Sequence, residues 1–373
     1  MKNRLHPFYL CAVVLIIFPL LASSQTISKE PKDLFVVGSE SITFDSKIND
    51  KKYKLHVNFP ENYGKDSTKS YPVFYVLDGQ WNFTLATSIY GGIRYDGYVP
   101  EMIIVGITYG GKNPDYGFLR GTDLTPTAIA DITSSGGAQK FLNVLSDEVI
   151  PMIDSLYRTD KTKRTLTGTS LGGLFAHYVL FSEPTLFNGY LINNSSFQWD
   201  NDYAFKLEKE FRKLNKSLNA RVIFVSSEYD SGVTDTYRMV DQLKEYNYKN
   251  LALNYHMVKE MGHSGGYAEA ISKGMRFIYK RPTIILPEEE LKEYTGTYQV
   301  GEFIIEIVIR DGELTLTNKD EPDGETLLAY NKSQFSVMGQ YLDFHFNRNS
   351  EGKVVSFFYE YSPSASITAI KVK

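Results

Sequence analysis

Lys163-Arg164-Thr165-Leu166-Thr167-Gly168-Thr169-Ser170-Leu171-Gly172-Gly173 sets a G-x-S-x-G pattern between two stretches of different character. Residues 163–167 are short, β-branched and bounded by charge, as a buried strand is; residues 171–180 form an apolar run long enough for a helix. Strand, sharp turn and helix are the context in which such a turn lifts a serine hydroxyl above the edge of a sheet. The glycines have a steric task there, because a Cβ two positions to either side of the serine would crowd the crossing of strand and helix. The bare pattern arises by chance in roughly one chain in eight of this length, so its partners decide its meaning.

Those partners depend on how the chain is organised. Residues 53–59 alternate as a strand, 71–77 and 102–107 are continuous apolar runs, and 138–157 have helical spacing. Beyond the serine come strands at 187–192, 221–225 and 251–258, and helices near 237–246 and 267–279. Alternating strands and helices imply an α/β fold with a mostly parallel sheet covered on both faces. The pattern changes after Pro282. Residues 291–298 read L-x-x-Y-x-G-x-Y, and short strands follow at 303–309, 313–317, 334–337, 341–346 and 354–361, separated by turns such as Asp311-Gly312. The expected organisation is a leader over 1–24, a large α/β domain over 25–284 and a small antiparallel β domain over 285–373.

The leader rests on Lys2 and Arg4 ahead of an apolar run at 8–21 and on the small residues Ala22-Ser23-Ser24, the pattern of a secretory signal peptide cleaved near Gln25. Periplasmic or secreted localisation follows, with no stable membrane span after cleavage. The one cysteine, Cys11, lies inside that run, which leaves the mature chain neither a disulfide nor a cysteine nucleophile. A formal charge of −4 without a Lys/Arg block makes nucleic acid a poor partner. No His/carboxylate cluster has metal-ligand spacing and no nucleotide or redox motif occurs, so neither a metal nor a cofactor is expected. The oligomeric state is not readable.

A serine hydroxyl needs an imidazole to take its proton. Of the six histidines, His6 falls in the leader, His56 and His256 in strands, His177 on the helix after the serine and His345 in the β domain. His263, in Met261-Gly262-His263-Ser264-Gly265-Gly266, occupies the loop after the last strand of the large domain, where the base of this architecture sits. The carboxylate that orients it should follow the strand at 221–225; Ser226-Ser227-Glu228-Tyr229-Asp230 offers Asp230, one residue further out, and Glu228 as the alternative acid, with Asp235 a weaker third. An oxyanion hole would use the backbone N–H of Leu171 and that of Gln80, in Leu77-Asp78-Gly79-Gln80-Trp81. The same five residues also read as a plain tight turn with Trp81 packed into the core.

Together, the stretches 71–80, Arg120-Gly121-Thr122-Asp123-Leu124-Thr125-Pro126, 168–173 and Gly262-His263-Ser264 resemble the putative-esterase family of α/β hydrolases. That family includes siderophore (enterobactin-type) esterases, feruloyl esterases, S-formylglutathione hydrolase and the antigen 85 mycolyltransferases, and the likeness spans roughly residues 35 to 282. It implies Ser170 as nucleophile, His263 as base and Asp230 as acid; relatives often carry glycine before the acid loop, where this chain has Ser226-Ser227, which keeps Glu228 open. It also implies that the loop Asn193-Asn194-Ser195-Ser196-Phe197-Gln198-Trp199-Asp200 lines the substrate pocket, with Phe197 and Trp199 as ring-stacking residues or as packing residues. Arg120 and Asp123 read as an ion pair near the active face, or Arg120 as the anchor of an anionic substrate. The expectation is a serine carboxylesterase acting on a small-molecule ester; an acyltransferase, or a binding protein on the same fold, is the alternative.

Overall fold

The computed structural model describes residues 36–65, 67–337, 343–362 and 365–373; the expected leader, and residues 341 and 342 of one expected strand, lie outside the described residues. The α/β region runs β1 (Ser39–Asp45), β2 (Lys52–Asn58), β3 (Tyr71–Val76), α1 (Gly79–Tyr95), β4 (Ile103–Tyr109), α2 (Tyr116–Leu124) and α3 (Ala138–Val144). A π-helical turn at Leu145–Val149 leads into α4 (Ile150–Leu156) and β5 (Thr159–Thr169). There follow α5 (Leu171–Ser182), β6 (Gly189–Asn193), α6 (Trp199–Leu214), β7 (Ser217–Ser227), α7 (Val233–Tyr246), β8 (Lys249–Val258) and α8 (Tyr267–Ile278).

The eight strands form one sheet in the order β1-β2-β4-β3-β5-β6-β7-β8. β1 and β2 pair antiparallel, and β2 pairs antiparallel with β4; from β4 onward every neighbour is parallel. The centre of the sheet is apolar on both sides, and the two cores show how it is covered. Phe83, Ala86 and Tyr90 of α1 pack with Ala270, Ile271 and Met275 of α8 on one face, while residues of α2 to α7, among them Phe141, Phe175, Phe205 and Met239, fill the other. This is the α/β-hydrolase fold expected from the sequence.

Past α8, a short helix α9 (Glu288–Leu291) precedes β9 (Gly296–Val300), β10 (Phe303–Arg310), β11 (Glu313–Thr317) and β12 (Glu325–Ala329). β13 (Gln334–Val337), β14 (Asp343–Arg348), β15 (Val354–Ser362) and β16 (Ala365–Lys371) complete an antiparallel barrel, closed by pairing of β16 with β9. The L-x-x-Y-x-G-x-Y stretch explains itself in this setting. Leu291, Tyr294 and Tyr298 enter the barrel core beside Phe335, Phe346 and Phe357. Gly296, at φ +142°, lies where a Cβ would fall 2.2 Å from the Lys373 carbonyl oxygen, so the glycine lets the two ends of the barrel meet.

Candidate active site

Every loop that carries a predicted site residue leaves the carboxyl end of a parallel strand, the edge at which open α/β sheets build their sites. Ser170 follows β5 directly, with φ 62° and ψ −121°. A non-glycine residue in that region stores roughly 1–3 kcal/mol of strain, held by its surroundings. Here the Ser170 N–H is tied to the Asn193 carbonyl at 3.1 Å. A Cβ on Gly168 would lie 2.3 Å from the Gly172 backbone, so strand and helix can cross only over a glycine. The second glycine is less demanding than expected: a Cβ on Gly172 would first meet the Asp78 carboxylate, at 3.4 Å.

His263 lies in the exposed loop after β8 and its Nδ1 is hydrogen-bonded to Asp230 Oδ2. Asp230 is buried, and its other oxygen accepts the Gly232 N–H at 2.8 Å. Glu228 turns elsewhere: it accepts the Glu260 N–H at 2.9 Å and pairs with Lys259 at 3.1 Å. These bonds, the backbone one first, hold its carboxyl below the usual carboxylate range. Asp235 pairs with Arg238. The Ser170 hydroxyl has Ser196 Oγ at 3.5 Å as its hydrogen-bonding neighbour and is not bonded to His263; such bonds are commonly long in unliganded sites and tighten with substrate. The other histidines in the described residues are engaged elsewhere. His56 meets Ser41, His256 meets Glu269 and His345 stacks on Phe358. His177 is buried against Phe181 and Phe197.

Leu171 and Gln80 both stand in the first turn of a helix, α5 and α1, where backbone N–H groups have no preceding carbonyl of the helix to bond. The turn into α1 is built on Asp78, whose backbone is left-handed at φ 54° and ψ 45°. Its side chain is clamped by Arg120, with Nε to Oδ1 and Nη2 to Oδ2 both at 2.9 Å. Burial alone would lower the guanidinium's pKa; the hydrogen bonds and charge of Asp78 raise it above its usual value. The expected Arg120–Asp123 pair does not form, because Asp123 binds Lys51 and the Tyr53 hydroxyl. Nor is Trp81 a core residue: it is 58% exposed, 6.0 Å from the Tyr116 ring and 5.8 Å from the Arg120 guanidinium; Phe118, between those two residues on α2, is exposed as well.

Of the two rings expected at the pocket, Phe197 is fully buried, 5.1 Å from His177 and 6.0 Å from Phe224, and so packs the core instead of stacking on a ligand. Its polar neighbours hide the reason in sequence: Asn194 and Ser195 are buried too, so this loop turns inward. Trp199 is half-buried at the start of α6, its indole N–H donated to Thr127 Oγ1 at 3.0 Å. Among the described residues no group of His, Cys, Asp and Glu is arranged to hold a metal, and no helix is long and apolar enough to cross a membrane.

Fold and site geometry together define an α/β hydrolase with a serine elbow. Residues 46–244, just over half of the chain, match the family described as "Putative esterase", and the chain belongs to that family. It is 27% identical over 255 residues to the ferri-bacillibactin esterase BesA of Bacillus subtilis, covering 64% of this chain and 84% of that protein. A siderophore triacetylfusarinine C esterase of Aspergillus fumigatus is 29% identical over 169 residues, 44% of this chain and 58% of the fungal one. In three dimensions, the crystal structure of a BES protein from Bacillus cereus superposes with a TM-score of 0.60 at 27% identity, covering 68% of this chain and 98% of that one.

Proposed function

We propose that this ester hydrolase is an exported serine carboxylesterase that works through an acyl-enzyme. The observation that carries the reading is the bond from the buried Asp230 carboxylate to His263, on the same sheet edge as the strained Ser170 turn. Ser170 Oγ attacks the ester carbonyl while His263 Nε2 takes its proton; Asp230 holds the imidazole in the tautomer with Nδ1–H and stabilises the imidazolium. The tetrahedral oxyanion is met by the N–H groups of Leu171 and Gln80. Collapse expels the alcohol, which receives the proton from His263, and water repeats the sequence to release the acid and free Ser170.

The substrate reading is a soluble siderophore-type or carbohydrate-linked acyl ester. It is supported by the relatives named as siderophore esterases and by the exposed Trp81, which directly follows Gln80 and offers an aromatic surface beside the proposed oxyanion turn. Arg120 serves that turn through Asp78, so its charge is already matched. The leader pattern at 1–24 supports export. The same reading divides the mature chain into an esterase domain over 25–284 and a β domain over 285–373, the latter supported by the barrel's own core.

Ser170→Ala is expected to lower turnover of short p-nitrophenyl esters by ~10⁴- to 10⁶-fold with the fold intact by circular dichroism. A folded variant with near-wild-type turnover would remove Ser170 from the mechanism. A panel of siderophore, feruloyl and acetyl-sugar esters then identifies the substrate class.

A further inference from the structure

The loop that carries His263 is exposed from Lys259 to Gly265, yet a base must be held within a fraction of an ångström of its nucleophile. Its anchors are few and specific. Tyr229 N–H reaches the Met261 carbonyl at 2.9 Å, and Glu228 takes the Glu260 N–H. At the far end, a Cβ on Gly266 would fall 2.4 Å from Ser227 Oγ, so the loop re-enters the fold pressed against that hydroxyl. The histidine's own backbone is held by one side chain. Asn194 Nδ2 donates to the His263 carbonyl at 2.7 Å.

Asn194 is built for this contact. It is 2% exposed and its backbone sits at φ 38°, a left-handed geometry that asparagine tolerates better than most residues. Every polar atom of its side chain is engaged across elements: Oδ1 accepts the Ser227 N–H at 2.7 Å, and Nδ2 also reaches Ser227 Oγ at 3.0 Å. Its neighbour Asn193 supplies the carbonyl that binds the Ser170 N–H. Consecutive residues at the end of β6 therefore hold the nucleophile's backbone and the histidine's backbone.

We infer that Asn194 is a positioning residue that sets His263, through its carbonyl, in register with Ser170. The inference rests on the proposed serine-hydrolase reading. It also gives Ser227 a use: a hydroxyl there accepts from Asn194 and packs on Gly266, which a glycine at that position could not do.

The test is steady-state kinetics on p-nitrophenyl acetate with Asn194→Asp, Asn194→Ala and Ser227→Ala, beside wild type and Ser170→Ala. Asn194→Asp is isosteric and keeps the acceptor for the Ser227 N–H, but cannot donate to the His263 carbonyl when ionised. It and Asn194→Ala should lower kcat about 10- to 100-fold with KM within about twofold, and should shift or broaden the downfield proton resonance of the His263–Asp230 bond. Ser227→Ala removes the hydroxyl that Asn194 Nδ2 also reaches but spares the bond to His263, so its kcat should fall between those of wild type and Asn194→Ala. Wild-type kcat and an unmoved resonance in folded Asn194→Asp would overturn the inference, as would a loss confined to KM. If Asn194→Ala fails to fold, Asn194→Asp decides alone. Failure of the underlying reading looks different: Ser170→Ala would then retain activity.

Discussion

Ser170 and His263 could be singled out in the sequence as candidates because each lies in a short glycine-bearing motif whose place along the chain is fixed by the strands around it. The partner of His263 could not be, since Glu228 and Asp230 stand two residues apart in one loop and only the fold turns one toward Lys259 and the other toward His263. Phe197 was ambiguous for a related reason: an aromatic residue in a polar loop reads equally as a platform or as a plug, and here it plugs the core. His177 gave no sign of its setting, yet it is the most perturbed histidine. Burial lowers its pKa to about 3, and neither ring nitrogen has a hydrogen-bond partner. Between pH 6.5 and about 3 the unfolded chain binds a proton that the folded one refuses, so folding stability falls with acidification across that window and is unaffected above it. The loss is about 1.4 kcal/mol per pH unit from this residue. Urea unfolding of His177→Leu at pH 7, 5.5 and 4.5 should show a shallower decline than wild type; parallel declines would mean that the imidazole is not buried neutral.

Among the elements, the turn from β3 into α1 carries the proposed oxyanion donor and is held from outside by α2. Arg120 bonds both oxygens of Asp78 and so fixes the left-handed residue on which the Gln80 N–H depends. Arg120→Ala should therefore lower kcat on a neutral ester by ~10- to 100-fold, less than outright loss of an oxyanion donor, with little change in KM. Arg120→Lys should recover only part of it, because an ammonium cannot grip the carboxylate at two points. A change in KM alone, confined to anionic esters, would instead assign Arg120 to substrate binding. Strands of the parallel sheet were read from their apolar runs, but the edge strand β1 and the helices α1, α2, α6 and α9 were missed. α1 begins at glycine and contains Gly91-Gly92, poor helix formers overruled by packing of Phe83, Ala86 and Tyr90 on the sheet. The single helix expected over 138–157 is interrupted by a π-turn immediately ahead of Pro151, whose ring would clash within an unbroken α-helix.

Across the whole molecule, strand–helix alternation announced the parallel sheet, and the switch to short alternating strands announced a second, antiparallel region. Barrel closure was not legible. It depends on pairing β9 with β16, about 70 residues apart in sequence, and both of those strands, with β12, escaped the alternation pattern. The family match ends at residue 244, so the barrel stands outside it. At the sheet's carboxyl edge, residues that follow β5, β6, β7 and β8 are tied to one another, Ser170 to Ser196 and His263 to both Asp230 and Asn194. The central claim is that Ser170 is the activated nucleophile, and a fluorophosphonate probe tests it at the atom concerned. Folded wild-type protein should gain one adduct, located on the peptide bearing Ser170 by mass spectrometry, with esterase activity lost in parallel and labelling strongly slowed in His263→Ala. An adduct on another residue, or protein that hydrolyses esters while remaining unlabelled at Ser170, would contradict it.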